Sequence, residues 1–192
     1  MRLIVNLLAL IGLLAVAGLG YGYVNYWPQL SRFDPKAVEV YTELAQEIAT
    51  TGDPGSSMMW SVPVEEGISA EDVVDSLKSL AVSRNMFFVG ESPFYKQIKA
   101  ITGEDYRYVN FLSFCDARTG KKMLEYRNAL AGFMPCRIAL VQHEDGRLWL
   151  YSMNLDLMIY GGTKLPDDLR DDALRVRDTL QEMMELAAAG EF

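Results

Sequence analysis

The sequence is poor in the residues from which most catalytic and metal centres are built. Of 192 residues one is histidine, His143, and two are cysteine, Cys115 and Cys136. A single histidine beside a turn signal supports no Ser-His-Asp order. The cysteines are too far apart in sequence for a C-x-x-C redox motif, and no C-x-x-C-H haem attachment is present. Without a second histidine they make a poor zinc set, and no Gly-rich phosphate loop follows a strand. Positive charge is also scarce: 18 Lys and Arg stand against 26 Asp and Glu, a net −8. Phosphate backbones need clustered cations, so nucleic acid is excluded as a partner. With no complete catalytic constellation, the expectation is a non-enzymatic protein without a cofactor.

Apolar residues are plentiful, at 50% of the chain. The densest run is at the N-terminus, "MRLIVNLLALIGLLAVAGLGYGYVNYW". From Leu3 to Val24 only Asn6 is strongly polar, and about 22 such residues are enough to cross a hydrocarbon core. Tyr21, Tyr23, Tyr26 and Trp27 form an aromatic belt at its far end, and Pro28 is expected to break the helix. Arg2 precedes the span, which predicts a cytoplasmic N-terminus and a C-terminal domain in the periplasm, anchored by a single pass in a bacterial inner membrane. A cleaved signal peptide is the competing reading, from the small-x-small "AVA" at Ala15 to Ala17. Gly18 and Gly22 form a small-xxx-small pair suited to helix packing in the membrane, although glycine is common in spans generally.

The spacing predicts an amphipathic helix after Asp34 and Pro35, with Val38, Tyr41, Leu44, Ala45 and Ile48 as its apolar stripe, ended by Gly52 and a turn-rich "DPG". This gives an anchor over 1–27, a helix and linker over 28–55, and an α+β domain over 56–192. In that domain "MMWSVPV" reads as an edge strand because of Pro63. Ser69 and Asp72 form a capping box ahead of a helix with Val73, Val74, Leu77, Leu80 and Ala81 on one face. "MFFV" and "YRYVNFLSFC" read as strands, with a short helix between them after Pro93. Thr119 is the expected cap of the next helix. "CRIALVQHEDGRLWLYSM" reads as a hairpin with Asp145-Gly146 as a two-residue turn, which places Gln142 opposite Trp149 and Leu140 opposite Tyr151. Leu169, Ala173, Val176, Leu180, Met183 and Ala187 then trace a long amphipathic helix whose acid-and-Arg outer face reads as solvated. The order of elements is α+β with an antiparallel sheet.

From about Met58 to Leu169 the residues resemble a family catalogued as domain of unknown function 302. The likeness rests on "VPVEEGISAEDVVDSLKSLAVSRNMFFVG", "FLSFCD" and "FMPCRIALVQHEDGRLWLYSMN". It implies a β-α-β-β-β-β-α fold of the TATA-binding-protein-like type, with helices on one face of the sheet, and it implies no mechanism.

Neighbouring antiparallel strands would bring Cys115 and Cys136 to one end of the sheet, so a structural disulfide and two unpaired buried thiols both stand as readings. His143 would need Glu144, Asp145 or Asp156 to hold a metal, and their spacing encodes no such site. Tyr108, Trp149 and Tyr151 could floor a ligand groove with Arg137 and His143 at its rim; the bland reading puts these aromatics in the core, facing the helices. The leading functional expectation is an accessory or docking subunit of a larger integral membrane protein complex, held at the lipid bilayer. The alternative is a periplasmic small-ligand, metal or thiol-redox binding protein using Cys115, Cys136 and His143. A homodimer through exposed sheet edges is a further option.

Overall fold

The computed structural model describes residues 2–192. Helix α1, Arg2–Leu30, is continuous. Its Ile4–Leu30 stretch has mean hydropathy 2.2 and no part buried against the rest of the chain, so it is long and apolar enough to span a membrane. Pro28 lies inside the last turn instead of ending the helix at Trp27. Proline forfeits its own N–H bond and crowds the preceding turn, yet the chain stays helical for two residues beyond it.

Helix α2, Ala37–Thr51, ends on Gly52 at φ +69. Its apolar stripe is rotated from the expected one: Ala37 is buried and Val40, Leu44 and Ile48 are half-buried, whereas Val38, Tyr41 and Ala45 face outward. Leu44 and Ile48 are common to both stripes, but the side turned to the domain is rotated by about a sixth of a turn, toward Ala37 and Val40. The chain ahead of α2 is tied to the domain. Asp34 N–H donates to Gly162 O at 2.8 Å and Lys164 N–H to Arg32 O at 3.1 Å, flanking a β-bridge between Phe33 and Thr163.

Asp53 caps the single turn α3, Pro54–Ser57. Five strands follow: β1 Met59–Pro63, β2 Phe87–Pro93, β3 Val109–Cys115, β4 Cys136–Gln142 and β5 Leu148–Met153. They form one antiparallel sheet in the order β1-β5-β4-β3-β2. Between them lie α4 Ala70–Ser83, α5 Phe94–Thr102, α6 Ala117–Tyr126 and a 3₁₀ turn over Asn128–Phe133. The chain closes with α7 Asp156–Tyr160 and α8 Asp167–Ala188.

The core lies between one face of the sheet and helices α4 and α8. Val73, Leu77 and Leu80 of α4 meet Leu112, Phe114, Ile138, Leu140 and Leu150 of the sheet and Leu180, Met183 and Met184 of α8. Each fully buried Leu or Met side chain contributes about 1.5–3 kcal/mol. The α4 capping box forms between Ser69 and Asp72, and all six residues of the α8 stripe are buried. The cap of α6 is Asp116, which accepts from the N–H groups of Arg118 and Thr119. Thr119 sits within the first turn and its hydroxyl bonds to Asp116. A carboxylate can satisfy two orphan donors where a hydroxyl satisfies one, so Asp116 takes the position expected for Thr119.

Candidate functional site

The sheet carries its long helices on one side, and its other face is the candidate site. Which side chains reach that face depends on the β4–β5 hairpin. Gly146 N–H donates to His143 O at 3.0 Å and His143 N–H to Arg147 O at 2.8 Å, and Gly146 has φ +85. The loop is therefore three residues, Glu144 to Gly146, with glycine in the left-handed position after a turn; the expected two-residue turn is not formed.

That extra residue shifts the register. Leu140 stands opposite Leu150 and Val141 opposite Trp149, not Leu140 opposite Tyr151. A one-residue slip moves every side chain of a strand to the other face. Trp149, Tyr151 and Met153 accordingly leave the core side, where Leu148, Leu150 and Ser152 take their place. The core reading of these aromatics is thus corrected.

On the uncovered face His143, Trp149 and Tyr151 form a stack. The His143 ring lies 5.3 Å from Trp149 and 6.0 Å from Tyr151, with interplanar angles of 13° and 8°. His143 Nε2 and Tyr151 Oη are joined by a hydrogen bond of 2.8 Å, and partial burial pushes the Tyr151 phenol up from its ordinary pKa. The Trp149 indole N–H is buried and has no hydrogen-bond partner among the described residues. Further along the same face the Arg137 guanidinium lies over Phe111 at 5.4 Å. A cavity of about 330 Å³ borders Arg137, Tyr151, Ala139, Ser113, Met59 and Pro135. The face offers aromatic planes, a cation and a concavity, a combination suited to binding.

Tyr108 does not belong with them. It shares the core-side parity of Asn110 and Leu112. There it stacks on Tyr95 at 4.9 Å, and its Oη accepts from the Asn110 amide at 3.1 Å. Asn110 also donates to Glu91, which pairs with Lys78 at 2.8 Å. Lys78, and after it Asn110, holds the Glu91 carboxyl below its ordinary pKa. This polar chain, which runs from the half-exposed Lys78 and Glu91 to the buried Asn110, escaped sequence reasoning, because nothing in the spacing of residues 78, 91 and 110 links them.

The metal reading of His143 has no partners. Asp145 is paired with Arg147 at 2.7 Å, Asp156 belongs to α7 and pairs with Arg177 at 2.9 Å, and among the described residues no three His, Cys, Asp or Glu side chains gather to hold a metal ion.

Cys115 and Cys136 are free thiols, so the disulfide expected as one reading is absent. Phe114, not Cys115, stands opposite Cys136, and Cys115 pairs instead with Phe87. The two cysteines are thus offset by one position along neighbouring strands, and their sulfurs stay unbonded. Both thiols nevertheless border one cavity of about 50 Å³ beside α6. Burial, and after it Cys115, pushes the Cys136 thiol up to about 11, and burial also raises Cys115. Neutral thiols of this kind are weak nucleophiles near neutral pH.

Gly18 and Gly22 lie one turn apart on α1, and a Cβ built at either meets nothing within 4 Å. The charges on α8 are more than a solvated face. Arg170 reaches Asp34, Arg175 reaches Asp116 and Arg177 reaches Asp156, so α8 ties together the chain after α1, the cap of α6 and α7.

The family described as Domain of unknown function DUF302 matches residues 60–187. A solved structure, the uncharacterized conserved protein DUF302 from Bacillus stearothermophilus, superimposes with a TM-score of 0.54 at 14% identity, covering 66% of this chain and 95% of that one. That likeness speaks for the fold alone. No curated protein matches the chain. The family match covers the whole sheet from Trp60 onward together with α4 and nearly all of α8, and on that match the chain belongs to the DUF302 family.

Proposed function

We propose that this protein is a non-enzymatic docking subunit, anchored by α1 in a bacterial inner membrane, that presents the uncovered face of its periplasmic sheet to a larger membrane protein complex. One observation carries the reading: the sheet has no long helix on the side of His143, Trp149 and Tyr151, and that side holds half-buried aromatics beside a cation. Aromatic residues and Arg are the types that dominate protein interfaces.

The test is a photo-crosslinking residue at position 149 in the membrane-inserted chain, read together with complex size after gentle detergent extraction. A discrete adduct to one membrane protein, with the complex lost in a Trp149→Ala/Tyr151→Ala variant, supports the reading. A chain that extracts alone and gives no adduct overturns it, and an adduct to a second copy replaces it with a homodimer. Accessibility of the domain to protease in spheroplasts checks the periplasmic side.

A second reading, a small-ligand binder, draws on the cavity of about 330 Å³ beside Arg137 and Tyr151. An anionic aromatic ligand suits that wall, with Arg137 opposite its charge and Tyr151 against its plane. Ligand-dependent quenching of Trp149 fluorescence that is lost in Arg137→Ala would favour it over docking.

A further inference from the structure

The small cavity beside α6 concentrates sulfur. Both cysteines of the chain border it, with the thioethers of Met123, Met134 and Met158, and the rest of its wall is almost wholly apolar. These residues come from the end of β3, from α6, from the loop into β4 and from α7, so the fold and not the sequence gathers them.

Gly120 supplies an independent observation. Glycine inside a helix costs about 1 kcal/mol relative to alanine, so a mid-helix position calls for a packing reason. A Cβ at 120 would stand 3.1 Å from Met134 Sδ and 3.8 Å from Cys115 Sγ. The missing side chain leaves room for two sulfurs to close on the same point of the α6 surface.

We propose that this cavity is a copper(I) site, with the thiolates of Cys115 and Cys136 and the thioether of Met134 as ligands. Thiolate and thioether are soft donors that select copper(I), whereas zinc favours closed sets of Cys, His and carboxylate. No such set of three gathers among the described residues. The nearest carboxylate, Asp116, is committed to Arg175 at 2.8 Å and to the N–H groups that begin α6. The volume of about 50 Å³ accommodates a bare ion and little else. Binding is an exchange without electron transfer: two thiols lose two protons, one copper(I) ion enters, and the resulting bis-thiolate carries a single negative charge. Arg175, paired at 2.8 Å with the wall residue Asp116, is a cation one side chain removed from the cavity. Cys136 and Met134 also border the larger cavity beside Arg137, but His143, Trp149 and Tyr151 do not line this one, so the inference does not rest on the docking proposal.

The experiment is an anaerobic titration of the reduced, detergent-solubilised full chain with copper(I) against a chromogenic chelator, with X-ray absorption to identify the donors. The expected result is one equivalent of copper bound through sulfur alone, and protection of both thiols from alkylation as read by intact mass. Cys136→Ala should weaken binding by more than about 100-fold, beyond what the loss of an outer-shell partner costs, and Met134→Leu and Gly120→Ala by about tenfold. Should Cys136→Ala fail to fold, Gly120→Ala and thiol protection in the wild type decide the matter. Copper held as tightly after Cys136→Ala or through nitrogen and oxygen donors, thiols that remain open to alkylation, or tighter binding of zinc would each overturn the site. Trp149→Ala should leave the titration unchanged, which separates this outcome from that of the docking test.

Discussion

Arg170 Nη1 lies 3.1 Å from Oδ2 of Asp34, a carboxylate with no exposure to solvent. The pair joins the segment that follows α1 to the first turn of α8. Tyr160 packs against it, its ring 5.2 Å from the Arg170 guanidinium. Removing one partner of a buried pair leaves an uncompensated charge. Arg170→Met should therefore lower stability by about 3 kcal/mol, and an Asp34→Asn/Arg170→Met double variant by less. Urea unfolding of the full chain in detergent measures both, and equal losses would show that the charge itself is not the cause.

Leu180 is wholly buried between α8 and the sheet, whereas Val38 is 76% exposed on α2. Leu180→Ala should cost about 2–5 kcal/mol through lost transfer and an unfilled cavity. Val38→Ala should stay within about 0.5 kcal/mol. The same unfolding curves test the rotated stripe of α2: Val40→Ala, packed against the core and outside the stripe read from sequence, should cost more than Val38→Ala, and the reverse order would restore that stripe.

Gly146 sets the hairpin register through its φ of +85. Gly146→Ala should destabilise the domain by about 1 kcal/mol, the usual penalty for a Cβ in the left-handed region. Glu144→Ala, in the same loop, should be neutral. Loss of amide protection confined to β4 and β5 would confirm that the effect is local, and an unperturbed hairpin would argue for a different turn.

Acid should weaken the fold in a defined direction. The Ser69 hydroxyl and N–H hold the Asp72 carboxyl below its ordinary pKa, Arg84 does the same for Glu182, and Lys78 with Asn110 does so for Glu91. A depressed folded pKa means that the unfolded chain takes up protons first. The stabilisation is complete above the ordinary carboxyl range near 4 and is lost as pH falls through the lowered folded values. The urea midpoint should drop steadily below about pH 4. Lys78→Met should reduce that slope by the share belonging to Glu91, and a slope unchanged by it would remove Glu91 from the account.

Much of this architecture was legible because periodicity reports burial. The apolar run of α1, the capping box of α4 and the stripe of α8 are local patterns with one physical outcome each. The hairpin was legible as a hairpin, but Asp145-Gly146 is compatible with either a two- or a three-residue loop, and that single residue decides which aromatics leave the core. The disulfide failed as a reading for a related reason: strand proximity can be read from element order, whereas a one-residue offset between Cys115 and Cys136 depends on pairing. The sulfur-lined cavity and the Lys78, Glu91, Asn110 chain lie deeper still, since they bring together residues from separate elements with no common spacing.

The bridge between Phe33 and Thr163, with its flanking hydrogen bonds, leaves almost no slack between the end of α1 and the domain. With α1 in a bilayer, the domain is carried as a standing figure and not as a float on a tether. Its freedom is reduced to sliding in the plane and turning about the membrane normal, so every copy offers its uncovered sheet at one fixed height. If the domain docks as proposed, a partner meets that face only where its own contact surface lies at the same height, and lateral encounter in two dimensions replaces a search through the surrounding aqueous volume.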